Sequence, residues 1–191
     1  MSKKLHLKLD TIVDNQVLDI SGYGYNGTVA DGVSVVEDDK FGSCLEFDGN
    51  YSAISFWNSL VEEISGNSFT VCAWVNLSTL TGTQCILGDA SRGIQNQGLH
   101  LTCKNGRPHM GFWLTGTVAD TAITANEWHY LTWMYDKDAR EQRMYLNGSN
   151  IVTGTDKDAY VGSTTLRLGN HSNTSRFSGK MSSVRIYDTV L

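Results

Sequence analysis

The chain has 191 residues, of which 40% are hydrophobic and 18% are charged, a balance that indicates a folded core and excludes a disordered chain. Its net charge is −5 and its 15 lysines and arginines are scattered, which excludes the basic footprint that nucleic acid binding requires. We expect one domain over residues 1–191, with no run of roughly 18 to 20 apolar residues that would insert into a membrane.

The first ten residues alternate polar and apolar side chains, with Leu5, Leu7 and Leu9 on one face. This alternation predicts a strand, and the segment lacks the continuous apolar stretch of a secretory signal peptide. We therefore expect that this segment is not a signal peptide. A domain excised from a longer protein would begin in the same way.

Alternation with a period of two recurs along the whole sequence, and turn residues separate the alternating segments. The predicted strands are KLHLKL (4–9), SCLEF (43–47), YSAISF (51–56), SFTVCAWVNL (68–77), QCILG (84–88), GLHLTC (98–103), HMGFWL (109–114), WHYLTWMY (128–135), RMYLN (143–147), NIVTG (150–154), TLRLG (165–169) and KMSSVRIYD (180–188). Many short strands between turns are typical of a β-sandwich or a β-barrel. Helical spacing occurs in SLVEEIS (59–65), where we predict a single turn too short to matter structurally.

Four cysteines, Cys44, Cys72, Cys85 and Cys103, are spaced irregularly and form no C-x-x-C pair. This spacing argues against a zinc site or a redox pair. Cys44 and Cys72 lie inside predicted strands, where a free thiol packs as a small apolar side chain. Without a signal peptide, we expect buried free thiols in preference to disulfides.

Two segments carry apolar residues on both faces of the predicted strand. In NEWHYLTWMYD, Trp128 and Tyr130 point to one side, whereas Trp133 and Tyr135 point to the other. SFTVCAWVNL shows the same feature. Both are predicted to be central strands of a two-layer structure, with Trp133 and Tyr135 between the sheets and Trp128 and Tyr130 facing outward.

The dipeptide Asn147-Gly148 separates RMYL from SNIV. Both central positions of a type I′ turn need a positive φ angle, which asparagine and glycine tolerate. The sequence therefore predicts a tight β-hairpin at this point.

Six segments together resemble the laminin-G-like, concanavalin A-like jelly-roll domains. They are LDISGYGYNGTVADG (18–32), KFGSCLEFDGNYSAI (40–54), SFTVCAWV (68–75), NEWHYLTWMYD (126–136), RMYLNGSNI (143–151) and FSGKMSSVRIYDTVL (177–191). The resemblance implies an all-β fold of two antiparallel sheets, a β-sandwich with about six or seven strands in each sheet, one of them concave. It also implies a module that binds carbohydrate or protein in an extracellular setting, although the same fold carries glycoside hydrolases.

Glycoside hydrolysis requires two carboxyl groups held on either side of a cleft. The related hydrolases present them in an E-x-D-x-x-E strand, and that motif is absent here. The adjacent acidic residues of VVEDDK (35–40) and VEEIS (61–65) are interpreted as turn-like or exposed charge. We therefore expect a protein that is not an enzyme.

Eight residues are candidates for ligand binding: His100, Arg107, His109, Trp113, Trp128, Tyr130, His171 and Arg176. His100 and His109 lie in adjacent predicted strands, where they could share one face with Trp113. His171 and Arg176 belong to LGNHSNTSRFSG (168–179), which is predicted to be a rim loop. Aromatic rings stack on the apolar faces of sugars while polar side chains bond their hydroxyl groups. Ordinary solvent-facing strand residues are an equally good interpretation of these positions.

The resemblance also implies a structural calcium ion at the sandwich edge. The matching positions are Asp10, Asp48 and Gly49, followed by Ser182 and Ser183 where relatives carry aspartates. Because calcium affinity depends on the number of charged oxygen ligands, the two serines weaken the expectation.

The leading hypothesis is a non-catalytic, lectin-like module that recognises a glycan or glycoprotein surface through the concave sheet or its rim loops. The alternative is a structural, decoration or adhesion subunit of a larger assembly such as a virion, with other subunits as partners. Either role implies an extracellular or surface-exposed setting, with the chain exported in a particle or excised from a longer protein.

Overall fold

A computed structural model describes residues 2–57, 59–89, 93–172 and 174–191. Within these ranges the chain forms 18 β-strands and one 3₁₀ helix. The strands are β1 (Lys3–Leu7), β2 (Gln16–Val17), β3 (Gly27–Val29), β4 (Val33–Asp38), β5 (Gly42–Asp48), β6 (Ile54–Phe56), β7 (Phe69–Leu77), β8 (Thr83–Asp89), β9 (Leu99–Lys104), β10 (Arg107–Phe112), β11 (Gly116–Val118), β12 (His129–Asp136), β13 (Glu141–Leu146), β14 (Ser149–Gly154), β15 (Leu166–Leu168), β16 (Asn170–Ser172), β17 (Ser175–Arg176) and β18 (Ser178–Tyr187). The 3₁₀ helix covers Ser59–Glu63. The prediction of an all-β fold is confirmed.

The strands form two sheets that pack face to face as a sandwich. The eight-stranded sheet has the order β14-β13-β12-β7-β18-β5-β4, with β1 paired to β18. The ten-stranded sheet has the order β11-β10-β9-β8-β15-β6-β3-β2, with β17 paired to β8 and β16 paired to β17. Pairing is antiparallel except at β17 and β8. The sheets are larger than the resemblance implied because they include short edge strands.

The inner faces of the central strands fill the core, as predicted. Phe69, Val71 and Ala73 of β7 have no exposed surface. Trp133 and Tyr135 of β12 are also buried, at 0% and 1% exposure. Large rings contribute the greatest apolar area that burial removes from water, so these two strands are central to the stability of the sandwich.

Local predictions at turns and cysteines are also confirmed. Asn147 and Gly148 have φ angles of 51° and 87°, which is the backbone of a type I′ turn between β13 and β14. All four cysteines are free and buried. In the part of the chain that the structure describes, no helix is long and apolar enough to cross a membrane.

One sequence interpretation was right in part and another was wrong. VVEDDK was interpreted as turn-like or exposed charge: Glu37 and Asp39 are exposed and residues 39–40 form a turn, but residues 33–38 form the edge strand β4, paired with β5 along its whole length. An edge strand pairs along one edge and exposes the other edge to solvent, so polar residues do not prevent its pairing. The turn at 59–65 does matter structurally, because Leu60 and Ile64 are fully buried in the core and Val61 is 6% exposed.

Candidate functional site

The structure divides the eight predicted ligand-binding residues between the outer faces of the two sheets. Six lie on or beside the ten-stranded sheet: His100, Arg107, His109, Trp113, His171 and Arg176. Trp128 and Tyr130 lie at the eight-stranded sheet. The eight residues therefore do not form one site.

Strands β9 and β10 present two histidines on the outer face of the ten-stranded sheet. The leucines of β9 are buried in the core, so His100 and Thr102 point outward. In the antiparallel register His109 lies opposite Thr102, and Gly111 lies opposite His100. His100 and His109 therefore share a sheet face, as the adjacent strands predicted.

Three aromatic rings meet on this face. His100 stacks on His171, with ring centroids 4.4 Å apart and 20° between the planes. Trp113 meets His100 edge-on at 5.9 Å. We call the surface formed by His100, Lys104, His109, Trp113 and His171 the histidine pocket. Its rings come from β9, β16, β10 and the turn after β10, so it depends on the fold and not on one segment.

The histidine pocket consists of two adjoining depressions of about 410 and 290 Å³. Both are lined by His100, Lys104, His109 and Trp113. The remaining described lining residues are Thr83, Thr102, Gly111, Leu114, Thr115, Gly116, Val118, His171, Ser172, Thr174 and Ser175. Asn173, the other residue of the predicted rim loop at this point, lies outside the described residues. No aspartate or glutamate is present among the described residues of either lining.

Glycines form the floor of the histidine pocket. A Cβ atom at Gly88 would lie 2.9 Å from the Cβ of His171. Cβ atoms at Gly111 and Gly116 would approach the His109 ring to 2.7 and 2.9 Å. These are shorter than van der Waals contacts, so any larger residue at these positions would displace the histidines.

His109 is held by two polar neighbours. Its Nδ1 lies 3.0 Å from Thr102 Oγ1, and its Nε2 lies 3.1 Å from Lys104 Nζ. Burial, followed by the nearby charge of Lys104, lowers the pKa of His109 to about 3. Burial also lowers the pKa of Lys104. His109 is therefore a neutral hydrogen-bonding group at physiological pH.

A strained turn after β10 fixes Trp113. Trp113 and Leu114 have positive φ angles of 32° and 65°, which are uncommon for large residues. The amide of Phe112 donates to the Thr115 carbonyl at 2.7 Å, and the amide of Trp113 donates to the Gly98 carbonyl at 2.9 Å. These bonds hold the indole in place beside the histidines.

Two neighbouring side chains were not singled out from the sequence. Arg167 of β15 pairs with Gly88, and its guanidinium carbon lies 5.8 Å from the ring centroid of Trp57. Trp57 is 67% exposed. Alternation in TLRLG gave a signal for Arg167, since it stands between two buried leucines. Trp57 directly follows the buried end of β6, and the same alternation places it outward.

The two other predicted arginines do not line the histidine pocket. Arg107 is exposed at the start of β10. The guanidinium carbon of Arg176 lies 4.1 Å from the ring centroid of Tyr51, a side chain that is 69% exposed. Both arginines flank the outer face of the ten-stranded sheet without entering the depressions.

On the eight-stranded sheet, Trp128 and Tyr130 belong to a packed group that we call the aromatic cluster, formed by Phe41, Trp74, Trp128 and Tyr130. Trp128 lies 4.8 Å from Phe41, and Tyr130 lies 5.1 Å from Trp74, between ring centroids. Lys40 Nζ lies 3.4 Å from the centroid of Trp74, in cation–π contact. Lys40 thus covers the Trp74 ring, whereas Trp74, Trp128 and Tyr130 line a depression of about 440 Å³.

The acidic residues Glu37, Asp38 and Asp39 line a pocket of about 290 Å³ beside the aromatic cluster. Burial acts to raise the pKa of Asp38, but hydrogen bonds from the Lys40 amide and the Trp128 indole outweigh it and lower that pKa. A glycosidase acid requires a raised pKa. Asp38 is therefore unsuited to that role.

The predicted calcium ligands lie at two places. Asp10 lines a pocket with Ser182 and Ser183. Asp48 instead pairs with Ser178, four residues before Ser182 and so about 13 Å away along β18. In the described ranges no three histidine, cysteine, aspartate or glutamate residues are grouped as metal ligands. Calcium binding stays a prediction.

Comparison with protein families gives a match over residues 48–191 to the model of the concanavalin A-like lectin/glucanases superfamily. Comparison with curated protein sequences gives no match.

Several solved structures share the fold. Domain 4 of AbnA, a GH43 extracellular arabinanase from Geobacillus stearothermophilus, in complex with arabinotriose, is similar with a TM-score of 0.78 at 20% identity, over 100% of this chain and 94% of that one. The binding domain of Paraclostridial Mosquitocidal Protein 1 has a TM-score of 0.73 at 18% identity, and the botulinum neurotoxin serotype D binding domain has 0.71 at 17%. The whole of this chain is matched but only 49% and 48% of those chains, so it spans about half their length. At these identities the likeness shows the fold alone.

Proposed function

The chain belongs to the concanavalin A-like lectin/glucanase superfamily, and from that premise we propose that it is a non-catalytic module that recognises carbohydrate through the histidine pocket. One observation carries the proposal: an indole and two stacked imidazoles converge with hydroxyl and ammonium groups over a glycine floor. We place the module in an extracellular or surface-exposed setting.

The chemistry of the histidine pocket suits a sugar. The indole of Trp113 offers an apolar surface for the C–H face of a pyranose or furanose ring. The hydroxyl groups of Thr83 and Thr174 in the lining provide both donors and acceptors for sugar hydroxyl groups. His109 and Thr102 are buried beneath them and bond to each other. Lys104 adds a donor at the boundary of the two depressions. A few polar groups around an apolar platform are typical of small-ligand sites.

The solved structures support a binding role. The AbnA domain is described in complex with arabinotriose, and the two toxin structures are described as binding domains. The lack of the E-x-D-x-x-E motif and the lowered pKa of Asp38 support a role without catalysis.

A glycan array followed by calorimetry tests this function. We expect Trp113→Ala to weaken binding at least about tenfold, because it removes the platform, and His100→Ala to act in the same direction. Trp128→Ala is the matched control, since it removes an indole from the aromatic cluster on the opposite face, and it should leave the affinity unchanged.

Two results would overturn the proposal. Equal affinities of the wild type and Trp113→Ala, with loss in Trp128→Ala, would move the site to the aromatic cluster. An array without any bound glycan at millimolar-range concentrations, together with a stable trimer or larger ring in light scattering, would favour an assembly subunit.

A further inference from the structure

We infer that the carbohydrate is an acidic oligosaccharide, and that it lies across the ten-stranded sheet from Trp113 to a second subsite formed by Arg167 and Trp57. This inference rests on the proposed function, which it deepens by naming the ligand class and extending the site. Four features of the ten-stranded sheet carry it.

The first feature is the charge of this face. The chain has a net charge of −5 and 20 acidic residues, yet the described linings of the histidine pocket contain none. Lys104, Arg107, Arg167 and Arg176 have no carboxylate oxygen within 4.0 Å among the described residues. The ion pairs that the structure does show involve other cations, namely Lys4, Arg140, Arg143 and Lys180. A cationic face on an acidic protein attracts anions selectively.

The second feature is the register that connects Arg167 to the histidine pocket. His100 pairs with Gly88, and Gly88 pairs with Arg167. His100 and Arg167 therefore stand on the same face two strands apart, at about 9.6 Å. Gly88 has no side chain, and His171 packs over it, so the His171 side chain lies between His100 and Arg167 on this face. A chain of sugars from Trp113 to Arg167 would therefore pass over His171, which the proposal includes in its path.

The third feature is an unsatisfied donor. The Nε of Arg167 is buried and has no hydrogen-bond partner in the structure, which is unfavourable for a charged group. The residue opposite Arg167 on β6 is Ser55, which carries only a hydroxyl group. With Nε held inside, the two terminal Nη groups of the same guanidinium would donate two parallel bonds to a carboxylate or sulfate, which is a geometry that arginine recognises well.

The fourth feature is the second aromatic platform. Trp57 is 67% exposed beside Arg167. Trp113 follows β10 and Trp57 follows β6, which are four strand spacings apart in the sheet order β10-β9-β8-β15-β6, or about 19 Å. Two platforms at that distance, with cations between them, fit a chain of several sugars and not a single one.

Matched pairs of polysaccharides test the inference directly. One pair is polygalacturonate and its fully methyl-esterified form, which removes the carboxylates; the other is heparin and fully desulfated heparin, which removes the sulfates. We expect the wild type to bind the acidic member of at least one pair at least tenfold more tightly, with an affinity that falls as salt rises. The pair that discriminates identifies the anion as a carboxylate or a sulfate.

Two variants locate the anion. We expect Arg167→Gln to reduce binding of the acidic member at least tenfold while binding of the neutral member changes little. Arg140→Gln is the matched control, because Arg140 is a surface cation paired with Asp158 away from this face. Trp57→Ala alters an exposed side chain and should also weaken binding of long chains. It keeps the second subsite testable if Arg167→Gln does not fold.

Each contrary result has a separate meaning. Equal affinity for acidic and neutral members would overturn the acidic ligand and leave the proposed function standing. Polyglutamate or DNA bound as tightly as the acidic polysaccharide would also overturn it, since charge alone would then suffice. Undiminished binding in Trp57→Ala would overturn the second subsite. Failure to bind any glycan would remove the proposed function as well.

Discussion

His109 is a buried polar side chain whose protonation is determined by its neighbours. Lys104 only donates hydrogen bonds, so the Nε2 atom 3.1 Å from its ammonium group must accept. The proton of the neutral ring therefore resides on Nδ1 and is donated to Thr102 Oγ1 at 3.0 Å. Both ring nitrogens are thus engaged, and His109 supports the histidine pocket from within the sheet. One residue thus couples the stability of the sheet to the polarity of the histidine pocket.

The lowered pKa predicts a pH-dependent stability. The pKa of His109 is about 3 in the folded state, compared with 6.5 for a solvent-exposed histidine, so the unfolded state binds a proton first as the pH falls. The contribution is fully present above pH 6.5 and is lost towards pH 3. Chemical denaturation should show His109→Asn losing less stability than the wild type over this range, by up to about 1.4 kcal/mol per pH unit.

Nuclear magnetic resonance gives an independent check on the same residue. The imidazole signals of His109 should not titrate above about pH 4.5, and the nitrogen shifts should report a proton on Nδ1. Titration near pH 6.5 would contradict the burial on which this prediction depends. Parallel pH slopes for the wild type and His109→Asn would contradict the linkage.

At the scale of elements, the β13–β14 hairpin has a measurable backbone requirement. Gly148 has a φ angle of 87° and no atom within 4 Å of an added Cβ, so Gly148→Ala introduces backbone strain without a clash. We expect a loss of about 1–2 kcal/mol in the free energy of unfolding, measured by urea denaturation. Ser149→Ala is the control: Ser149 is exposed, and the change should stay within about 0.5 kcal/mol. Similar losses in both variants would show that the turn conformation contributes nothing.

The elements that could be predicted from sequence are those in which alternation extends over several residues. β7, β9 and β12 have buried residues at every second position, and the pairing of β9 with β10 followed from a short turn between them. Two-residue strands such as β2 and β17 carry no period at all. The edge strand β4 has no fully buried position, so its pattern resembles that of a loop.

The histidine pocket was predictable only in part, for a related reason. His100 and His109 lie on neighbouring strands, so their shared face followed from local pattern. The stack of His100 on His171 depends on β16 crossing over Gly88, and no local signal encodes that crossing. Alternation placed Arg167 outward, but its relation to His100 exists only through the strand order of the sheet.

At the scale of the whole molecule, the two sheets are joined by polar as well as apolar contacts. The indole Nε1 of Trp133, from the eight-stranded sheet, donates to the His109 carbonyl of the ten-stranded sheet at 3.2 Å. Tyr135 donates to the carbonyl of Lys157, in the connection between β14 and β15, at 3.0 Å. His109, a residue of the histidine pocket, is thereby bonded to the eight-stranded sheet. We therefore expect core substitutions near Trp133 to lower both the stability of the sandwich and the affinity of the proposed site.

The four buried cysteines allow a test of whether the sandwich unfolds as one domain. Cys44 and Cys72 lie in the eight-stranded sheet, and Cys85 and Cys103 in the ten-stranded sheet. Burial raises the pKa of Cys44 to about 11 and that of Cys103 to about 12, so neither forms a reactive thiolate in the folded state. Pulsed alkylation at pH 8 across a urea series, read by peptide mass spectrometry, should give one midpoint for all four thiols. Fully denatured, unreduced protein is the control and should take up four equivalents of label. Separate midpoints for the two sheets would contradict a single cooperative domain, because a shared core of interlocking rings leaves neither sheet stable without the other.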